Sequence, residues 1–316
     1  MTSAVAANPW PIPYTLRRRV PLHHPLGSIE FWEASRPDEG STAALLVLPR
    51  HGIDRYADFA TWTEMFEGDV AEAARLDHPT ILRVRERGRA GRVPFAELEQ
   101  FSGVSLRDAW PIRGAGNGLP PLTAVLVVAR LSAAVHHLYR AALEQQRDAA
   151  IIHLSDGLVC CGVDGNVQLL PRFSRIYDHE APSFDAFPRV LGLPPADEHP
   201  SVRGLVFWLG TALYHLAVGQ LPTGRTPWLD VERLTRDFPL PSAADPRLAS
   251  LDAVVAKATH KKPAYRYEDA GRFAAALEEL LDAGLDASTY RAAPWTLERA
   301  RAHLAERVRE AIARGG

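Results

Sequence analysis

The sequence predicts an α+β protein of two lobes, a small antiparallel β lobe with one helix followed by a larger, mainly helical lobe. In the first third of the chain, short apolar runs alternate with turn-rich segments such as RPDEG at residues 36–40. That alternation is typical of an antiparallel meander. From residue 122 onward, apolar residues recur at helical spacing over long segments. The fold class follows from this change of period along the chain.

Each element of the β lobe has its own signal. β-like runs at residues 31–32 and 43–48 precede the helix, and runs at 80–84 and 93–98 follow it. The helix is predicted over residues 57–76 because its apolar side chains return every three or four positions. The members of this stripe are Phe59, Trp62, Met65, Phe66, Val70, Ala73 and Ala74.

The helical lobe is predicted from segments of helical period at residues 122–143, 206–218, 251–260, 270–283 and 297–313. One stretch of this lobe, residues 204–224, has no charged side chain and is long enough to raise the question of a membrane span. Because it contains Thr211, His215 and Gln220, we interpret it as a buried helix of a soluble protein.

Composition and charge narrow the function classes. The hydrophobic content of 47% is ample for a large core, and the 36 basic and 38 acidic residues are interleaved, with a net charge of −2. This balance favours neither nucleic acid nor a membrane surface as a partner. The adjacent Cys160 and Cys161 fit neither a disulfide framework nor a zinc site, so we expect a buried pair on a strand and a cytoplasmic location.

Four segments match, in order and spacing, the motifs of one enzyme family. Residues 73–84 read AARLDHPTILRV, residues 94–103 read PFAELEQFSG, residues 206–222 read VFWLGTALYHLAVGQLP, and residues 251–267 read LDAVVAKATHKKPAYRY. These segments resemble AARLNHPNIVRV, PYLVMEYVEG, VYSLGVLLYELLTGRPP and LDAVVLRALAKDPADRY of bacterial serine/threonine protein kinases. The resemblance covers roughly residues 14–281 and implies a two-lobed protein-kinase-like fold.

The resemblance also implies the domain organisation. Residues 1–13 would be an N-terminal extension, residues 14–284 the kinase-like domain, and residues 285–316 a C-terminal amphipathic helical extension. The two lobes would meet near residues 101 and 102. Leu98 takes the place of the gatekeeper, and the hinge would run from Glu99 to Phe101. Arg266 takes the place of the family's late buried arginine.

The positions at which the family performs phosphoryl transfer carry other residues. The lysine of the third strand, which clamps the phosphates, aligns with Leu46, and its glutamate partner aligns with Asp69. We interpret Asp69 as a solvated helix residue. The catalytic aspartate falls on Ser155, and the magnesium-binding asparagine falls on Cys160.

The expected magnesium site is also altered. Its aspartate falls on Pro171 or Arg172, and an arginine there would repel the two metal ions that the family binds. The glycine-rich loop reads PLHHPLG at residues 21–27, and we interpret His23 and His24 as exposed turn residues rather than metal ligands. We therefore expect no Mg-ATP binding, no cofactor and no metal.

Three alternatives remain open. The first is an atypical ATP-dependent serine/threonine protein kinase that catalyses with residues the family pattern does not identify. A one-residue shift would align Asp156 with the catalytic aspartate, but because the metal ligand and the nearby lysine would still be missing, we interpret Asp156-Gly157 as a turn. Arg172 could replace the metal's charge, which would make the vestigial cleft around Leu46, Leu98, Glu99, Phe101 and Arg172 a metal-independent sensor of a nucleotide or small anion. A misassigned fold is the last alternative.

The resemblance and the missing residues together predict a cytoplasmic bacterial pseudokinase in signalling. It would act as a protein-binding scaffold or allosteric regulator, and an active kinase is one candidate partner. The C-terminal segment is predicted to form a helix that packs on the helical lobe or, alternatively, is presented to a partner. The apolar face of that helix comprises Leu297, Ala300, Leu304, Val308, Ala311 and Ile312.

Overall fold

The computed structural model describes residues 11–20, 29–36, 41–48, 59–110, 118–144, 159–170, 202–220, 222, 238–284 and 296–315. The strands in these ranges are β1 (Thr15–Val20), β2 (Glu30–Ser35), β3 (Thr42–Val47), β4 (Val84–Ala90), β5 (Val93–Leu98), β6 (Gly103–Ser105), β7 (Val159–Gly162) and β8 (Val167–Leu169). The helices are α1 (Phe59–Ala73), α2 (Leu106–Ala109), α3 (Pro121–Glu144), α4 (Val202–Val218), α5 (Pro241–Ala244), α6 (Asp252–Ala258), α7 (Ala270–Ala283) and α8 (Leu297–Ala313).

The first lobe is a five-stranded antiparallel sheet with one long helix, as the sequence predicts. The strand order is β1-β2-β3-β5-β4, and α1 packs against β4 and β5. Successive residues of each strand point to opposite faces of the sheet. In β3, Ala44 and Leu46 therefore face the core shared with the second lobe, whereas Ala43, Leu45 and Val47 face outward into a separate apolar cluster.

The predicted strand at residues 80–84 is wrong. Strand β4 begins only at Val84, and the residues before it form a turn in which the Ile81 amide donates to the His78 carbonyl at 2.9 Å. Ile81 makes an isolated parallel bridge to Leu169 instead. Ile81 and Leu82 are buried where the lobes meet, so their apolar character reflects that contact rather than a place in the first sheet.

The second lobe is built around α3, which packs against α4, α7 and α8 and beneath the small sheet β6-β7-β8. The predicted helices at residues 122–143, 206–218 and 270–283 correspond to α3, α4 and α7. Among the described residues, α3 alone is long and apolar enough to cross a membrane by length and composition. Core helices of globular proteins have the same length and composition, and 67% of the most apolar segment of α3 is buried in the fold.

The C-terminal helix α8 packs on the second lobe and has the predicted bounds. The Thr296 hydroxyl accepts a hydrogen bond from the Arg299 amide at its start, which caps the helix. Its buried side chains contact α2, α3, β6 and β7 and belong to the main core. The expectation that α8 docks on the helical lobe is confirmed. Residues 285–295, which lead into it, lie outside the described residues.

One glycine adapts the second lobe to α8. Gly165, in the turn between β7 and β8, has a φ of +77°, which favours glycine. A β-carbon at this position would collide with the Arg301 carbonyl of α8. Nearby, Arg309 donates to the Val163 carbonyl at 3.2 Å. The Asp164-Gly165 turn therefore forms part of the surface on which α8 packs.

Candidate functional site

Leu46, which the sequence resemblance aligns with the phosphate-clamping lysine of kinases, lies inside an apolar core. Leu46 is opposite Phe31 of β2 and Ala96 of β5 across the sheet. All three side chains have 0% exposure. Leu46 therefore lies in the cleft-facing layer of the sheet and offers no charge to a ligand.

Aromatic packing continues from this position to the hinge. The Phe31 ring stacks on Phe101, with ring centroids 5.8 Å apart and planes 21° apart. Phe101 is buried and sits next to Gly103, where a β-carbon would lie 2.6 Å from the Phe101 ring and would collide with the Cys161 carbonyl. The absence of a side chain at Gly103 lets the ring of Phe101 close onto the sheet.

An ion pair of the first lobe forms hydrogen bonds to Gly103 of the second lobe. Arg18 of β1 contacts Glu33 of β2 at 2.5 Å and donates to the Gly103 carbonyl of β6 at 2.6 Å. The Gly103 amide donates to the Glu33 carboxylate at 3.4 Å. Strand β1 and the segment after the hinge are thus held together by side chains of the protein itself.

The interpretation of Asp69 as a solvated residue is wrong. Asp69 is 1% exposed, and the buried face of α1 on which it lies also carries Trp62, Phe66 and Ala73. These positions recur at helical spacing, so the carboxylate is turned toward the protein interior. The acidic residue that the resemblance aligns with the helix glutamate of kinases thus faces the core, and the residue aligned with its lysine partner is Leu46.

The predicted hinge follows directly after β5, and its acidic side chain bonds to two other segments. Leu98 ends β5 with 0% exposure, and the Glu99 amide donates to the Arg83 carbonyl at 2.8 Å. The Glu99 carboxylate accepts from the Gln168 side chain at 2.7 Å and from the Arg83 amide at 3.3 Å. Glu99 thus ties the hinge to β8 and to the segment before β4.

Cys160, which the sequence resemblance aligns with the magnesium-binding asparagine of kinases, is a buried residue of β7, as predicted. It is 2% exposed and pairs with Ser105 and Gln168 in the small sheet. Burial raises the pKa of the Cys160 thiol to about 12, and burial together with Cys160 raises the pKa of the neighbouring Cys161 thiol. Both side chains are thus neutral thiols at physiological pH, the form that neither binds metal nor attacks as a nucleophile.

The structure brings together only part of the predicted site. Leu46, Leu98 and Phe101 lie in one apolar cluster, with Cys160 in the same continuous core. Ser155, Asp156, Pro171, Arg172, His23 and His24 lie outside the described residues. Within the ranges that are described, no three His, Cys, Asp or Glu side chains are grouped closely enough to hold a metal ion.

Two contributors to this region have no clear signal in the sequence. The sequence pattern indicates Phe31 only as part of a strand, and it does not indicate the pair formed by Arg18 and Glu33. Strand alternation places Phe31 on the same face as residues 44 and 46 once the register of β2 against β3 is known. The contact from Arg18 to Gly103 spans 85 positions, so no local pattern indicates it.

Comparisons with known proteins agree with this architecture. No family model matches the chain. The chain is 30% identical over 240 residues to serine/threonine-protein kinase PknL of Mycobacterium tuberculosis. The aligned region covers 72% of this chain and 57% of PknL. It is 28% identical over 229 residues to PknB of the same species, and that aligned region covers 67% of this chain and 35% of PknB. The chain thus spans about half, or less, of the length of these curated relatives.

A solved structure supports the same fold. The kinase domain of Mycobacterium tuberculosis PknI superimposes with a TM-score of 0.54 at 22% identity. The superposition covers 88% of this chain and 99% of that domain. The prediction of a two-lobed kinase-like fold is confirmed.

Proposed function

This chain is a homologue of the bacterial serine/threonine protein kinases, and we propose that it is a pseudokinase that transfers no phosphate and acts by binding another protein. The observation that carries the proposal is Leu46, fully buried at the position of the phosphate-clamping lysine. Catalysis of phosphoryl transfer rests on positioning and charge stabilisation, so a leucine at this position removes one of its main parts.

The residues at the other catalytic positions support the same conclusion. By alignment, Ser155 replaces the catalytic aspartate, Cys160 replaces the magnesium-binding asparagine, and Pro171 or Arg172 replaces the second aspartate. None of these side chains supplies the carboxylate or amide oxygen that magnesium prefers. Loss of the lysine and of both kinds of metal ligand leaves neither the triphosphate nor the metal with its usual partners.

The packing of the cleft argues against Mg-ATP as a ligand. Phe31 stacks on Phe101 directly beside Leu46, and the link from Arg18 to Gly103 spans the two lobes at the same edge. A nucleotide entering this region would have to separate an aromatic pair and break a charge-assisted hydrogen bond. These costs would oppose any binding energy that the remaining groups provide.

The proposed role is that of a cytoplasmic scaffold or allosteric regulator in a signalling pathway. A kinase-like domain that keeps the packing of the fold but lacks the chemistry of phosphoryl transfer can still present a folded surface to a partner. An active serine/threonine kinase is the partner that we propose to test first. The test is to add the purified protein to active kinases of its host and to measure whether their phosphorylation rate changes.

The absence of phosphoryl transfer is tested directly. The purified protein is incubated with radiolabelled ATP, magnesium or manganese and generic protein substrates, beside an active bacterial kinase as a positive control. We expect no incorporation, and none after Leu46→Lys alone, because the metal ligands would still be missing. Stoichiometric autophosphorylation of the unmodified protein would overturn the proposal.

A melting experiment separates this proposal from a metal-independent nucleotide sensor. A ligand at about 100 times its dissociation constant adds about 2.7 kcal/mol of stability, which raises the melting temperature by on the order of 2 degrees or more. We expect no shift with Mg-ATP or with ATP and EDTA. A shift with ATP and EDTA that is lost in Arg172→Ala but kept in the exposed control Arg85→Ala would favour the sensor instead.

A further inference from the structure

Three histidines meet where the first lobe contacts the second. His78 lies in the turn after α1, and His136 and His137 lie side by side on α3. The rings of His78 and His137 are stacked, with centroids 4.9 Å apart and planes 30° apart. Each lobe thus contributes one ring to the same contact, and imidazole is the type of side chain that can change its charge near neutral pH.

The hydrogen bonds of His78 require its neutral form. Its Nδ1 atom accepts from the Thr80 amide at 3.3 Å and lies 2.7 Å from the Thr80 hydroxyl. The backbone amide can only donate, so Nδ1 carries no proton in this arrangement. Protonation at Nδ1 would place two N–H donors against each other and open the turn.

The same turn carries the backbone pairing between the lobes. The Leu169 amide of β8 donates to the Thr80 carbonyl at 2.8 Å, and the Leu82 amide donates to the Leu169 carbonyl at 2.9 Å. The Gln168 side chain also donates to the Pro79 carbonyl, at 3.4 Å. Every one of these bonds involves a residue within four positions of His78, so the shape of the turn and the pairing of the lobes depend on each other.

The charges around His78 are mostly positive. Burial lowers the pKa of His78, and the charges of His137, His136 and Arg130 lower it further. The nearby acids are engaged with other cations. Asp269 lies 3.7 Å from His136, and Glu278 lies 3.1 Å from Arg130.

One acid on the same turn also has a cationic partner. Asp77 pairs with Arg83 at 3.6 Å, and both side chains are more than half exposed, so solvent weakens their influence on His78. From β8, the uncharged Gln168 and Leu169 face the turn. A positive charge on His78 would therefore be repelled by the cations of α3, and the nearby acids would offset little of that repulsion.

We propose that the His78 turn is a proton-sensitive latch, which holds α1, the start of β4 and β8 together at neutral pH and loosens when His78 is protonated. The ligand of this site is the proton, and its effect is to weaken the pairing of the two lobes. The latch does not depend on whether the protein transfers phosphate or binds a partner. It would make the relative mobility of the lobes respond to mild acidification.

The test is hydrogen exchange of the full chain at about pH 7.5 and about pH 5.5, with rates corrected for intrinsic exchange. The amides of Thr80, Leu82 and Leu169 report on the latch. In the unmodified protein, we expect their protection to fall by about fivefold or more at the lower pH, the lower end of typical couplings between sites. In His78→Asn, protection should change little, because the asparagine oxygen can accept from the Thr80 amide but does not titrate.

A matched histidine provides the control. His260 accepts from the Lys262 amide at 3.1 Å in the same two-residue pattern but lies away from the junction of the lobes. His260→Asn should keep the full pH response at residues 80, 82 and 169. Equal loss of protection in His78→Asn and the unmodified protein, or no loss in either, would overturn the proposal.

A second variant covers the case in which His78→Asn does not fold. His137→Phe keeps an aromatic ring against His78 and removes the neighbouring positive charge. We expect it to retain more protection than the unmodified protein at the lower pH. An undiminished loss in His137→Phe would show that the stacked pair does not control the latch.

Discussion

The inner face of the five-stranded sheet packs into the core that both lobes share, whereas the outer face closes over a small cluster of its own. On the inner face, Phe31, Leu46 and Leu98 are fully buried among apolar side chains. On the outer face, the buried carboxylate of Glu97 accepts from the Tyr14 hydroxyl at 2.6 Å and from Arg36 at 2.7 Å. Apolar side chains around this network include Leu45 and Phe95.

The two faces differ in whether a buried charged side chain has hydrogen-bond partners. Glu97 is 2% exposed, but its oxygens meet a hydroxyl and a guanidinium at hydrogen-bond distance, so its burial is compensated. On the inner face, Leu46 carries no charge, packs against Phe31 and needs no such compensation.

The largest effect is expected when α8 is removed from the shared core. Ending the chain at Ser288 deletes the buried side chains of Ala300, Leu304, Val308 and Ala311, which together account for about 5 kcal/mol. The melting temperature should fall by on the order of 10 degrees. A chain ending at Arg314 is the control and should melt like the full chain.

This truncation also tests whether α8 is part of the core that both lobes share. If the melting temperature is unchanged while capture of a protein partner is lost, α8 is an interaction element rather than part of that core.

The next largest effect should come from a charge placed in the inner face. Leu46→Lys buries an ammonium among apolar side chains and should lower the free energy of unfolding by about 4 kcal/mol, measured by urea denaturation. Leu46→Met keeps the volume and should cost less than about 1.5 kcal/mol. Equal costs for the two variants would mean that the cleft admits water or counter-charges at this position.

On the outer face, removal of the acceptor should cost less. Glu97→Ala leaves the Tyr14 hydroxyl and Arg36 without this carboxylate, but Arg36 is 32% exposed and can turn toward water. We expect a loss of about 2 kcal/mol in the free energy of unfolding, and about half of that in Glu97→Gln, which keeps an acceptor for Tyr14. A cost as large as that of Leu46→Lys would contradict the contrast between the two faces.

The smallest effect concerns the Tyr14 hydroxyl and its pH dependence. Burial, the hydrogen bond to Glu97 and the charge of Glu97 raise the pKa of Tyr14 above its ordinary value near 10. The unfolded chain therefore loses this proton first, and the stability that Tyr14 contributes is present below about pH 10 and declines as the pH rises further. Tyr14→Phe should cost about 1 kcal/mol at neutral pH.

The same prediction can be tested from the loss of folding stability at alkaline pH. Tyr14→Phe should lose stability less steeply above about pH 10 than the unmodified protein. Tyr214 and Tyr267, whose pKa values burial also raises, remain in the variant and should preserve part of the decline. An unchanged slope would show that Tyr14 does not titrate differently in the folded and unfolded states.

Local patterns predicted the regular elements well. The bounds of β5, α7 and α8 match the predicted segments, because strand alternation and helical period depend on neighbours within a few positions. The prediction of a strand at residues 80–84 was wrong because the apolar character of this segment comes from a contact with a distant part of the chain. Ile81 and Leu82 are apolar because they pack where the lobes meet, which a local window cannot distinguish from a strand.

Motif spacing and helical period were enough to predict the fold class and the C-terminal helix, because both are patterns of neighbouring residues along the chain. The folded structure was needed to show that Asp69 is buried, that Phe31 stacks on Phe101, and that His78 contacts His137. Each of these facts depends on which distant segments come together. Such contacts, like the 83 positions between Tyr14 and Glu97, follow from the packing of the whole chain rather than from any local pattern.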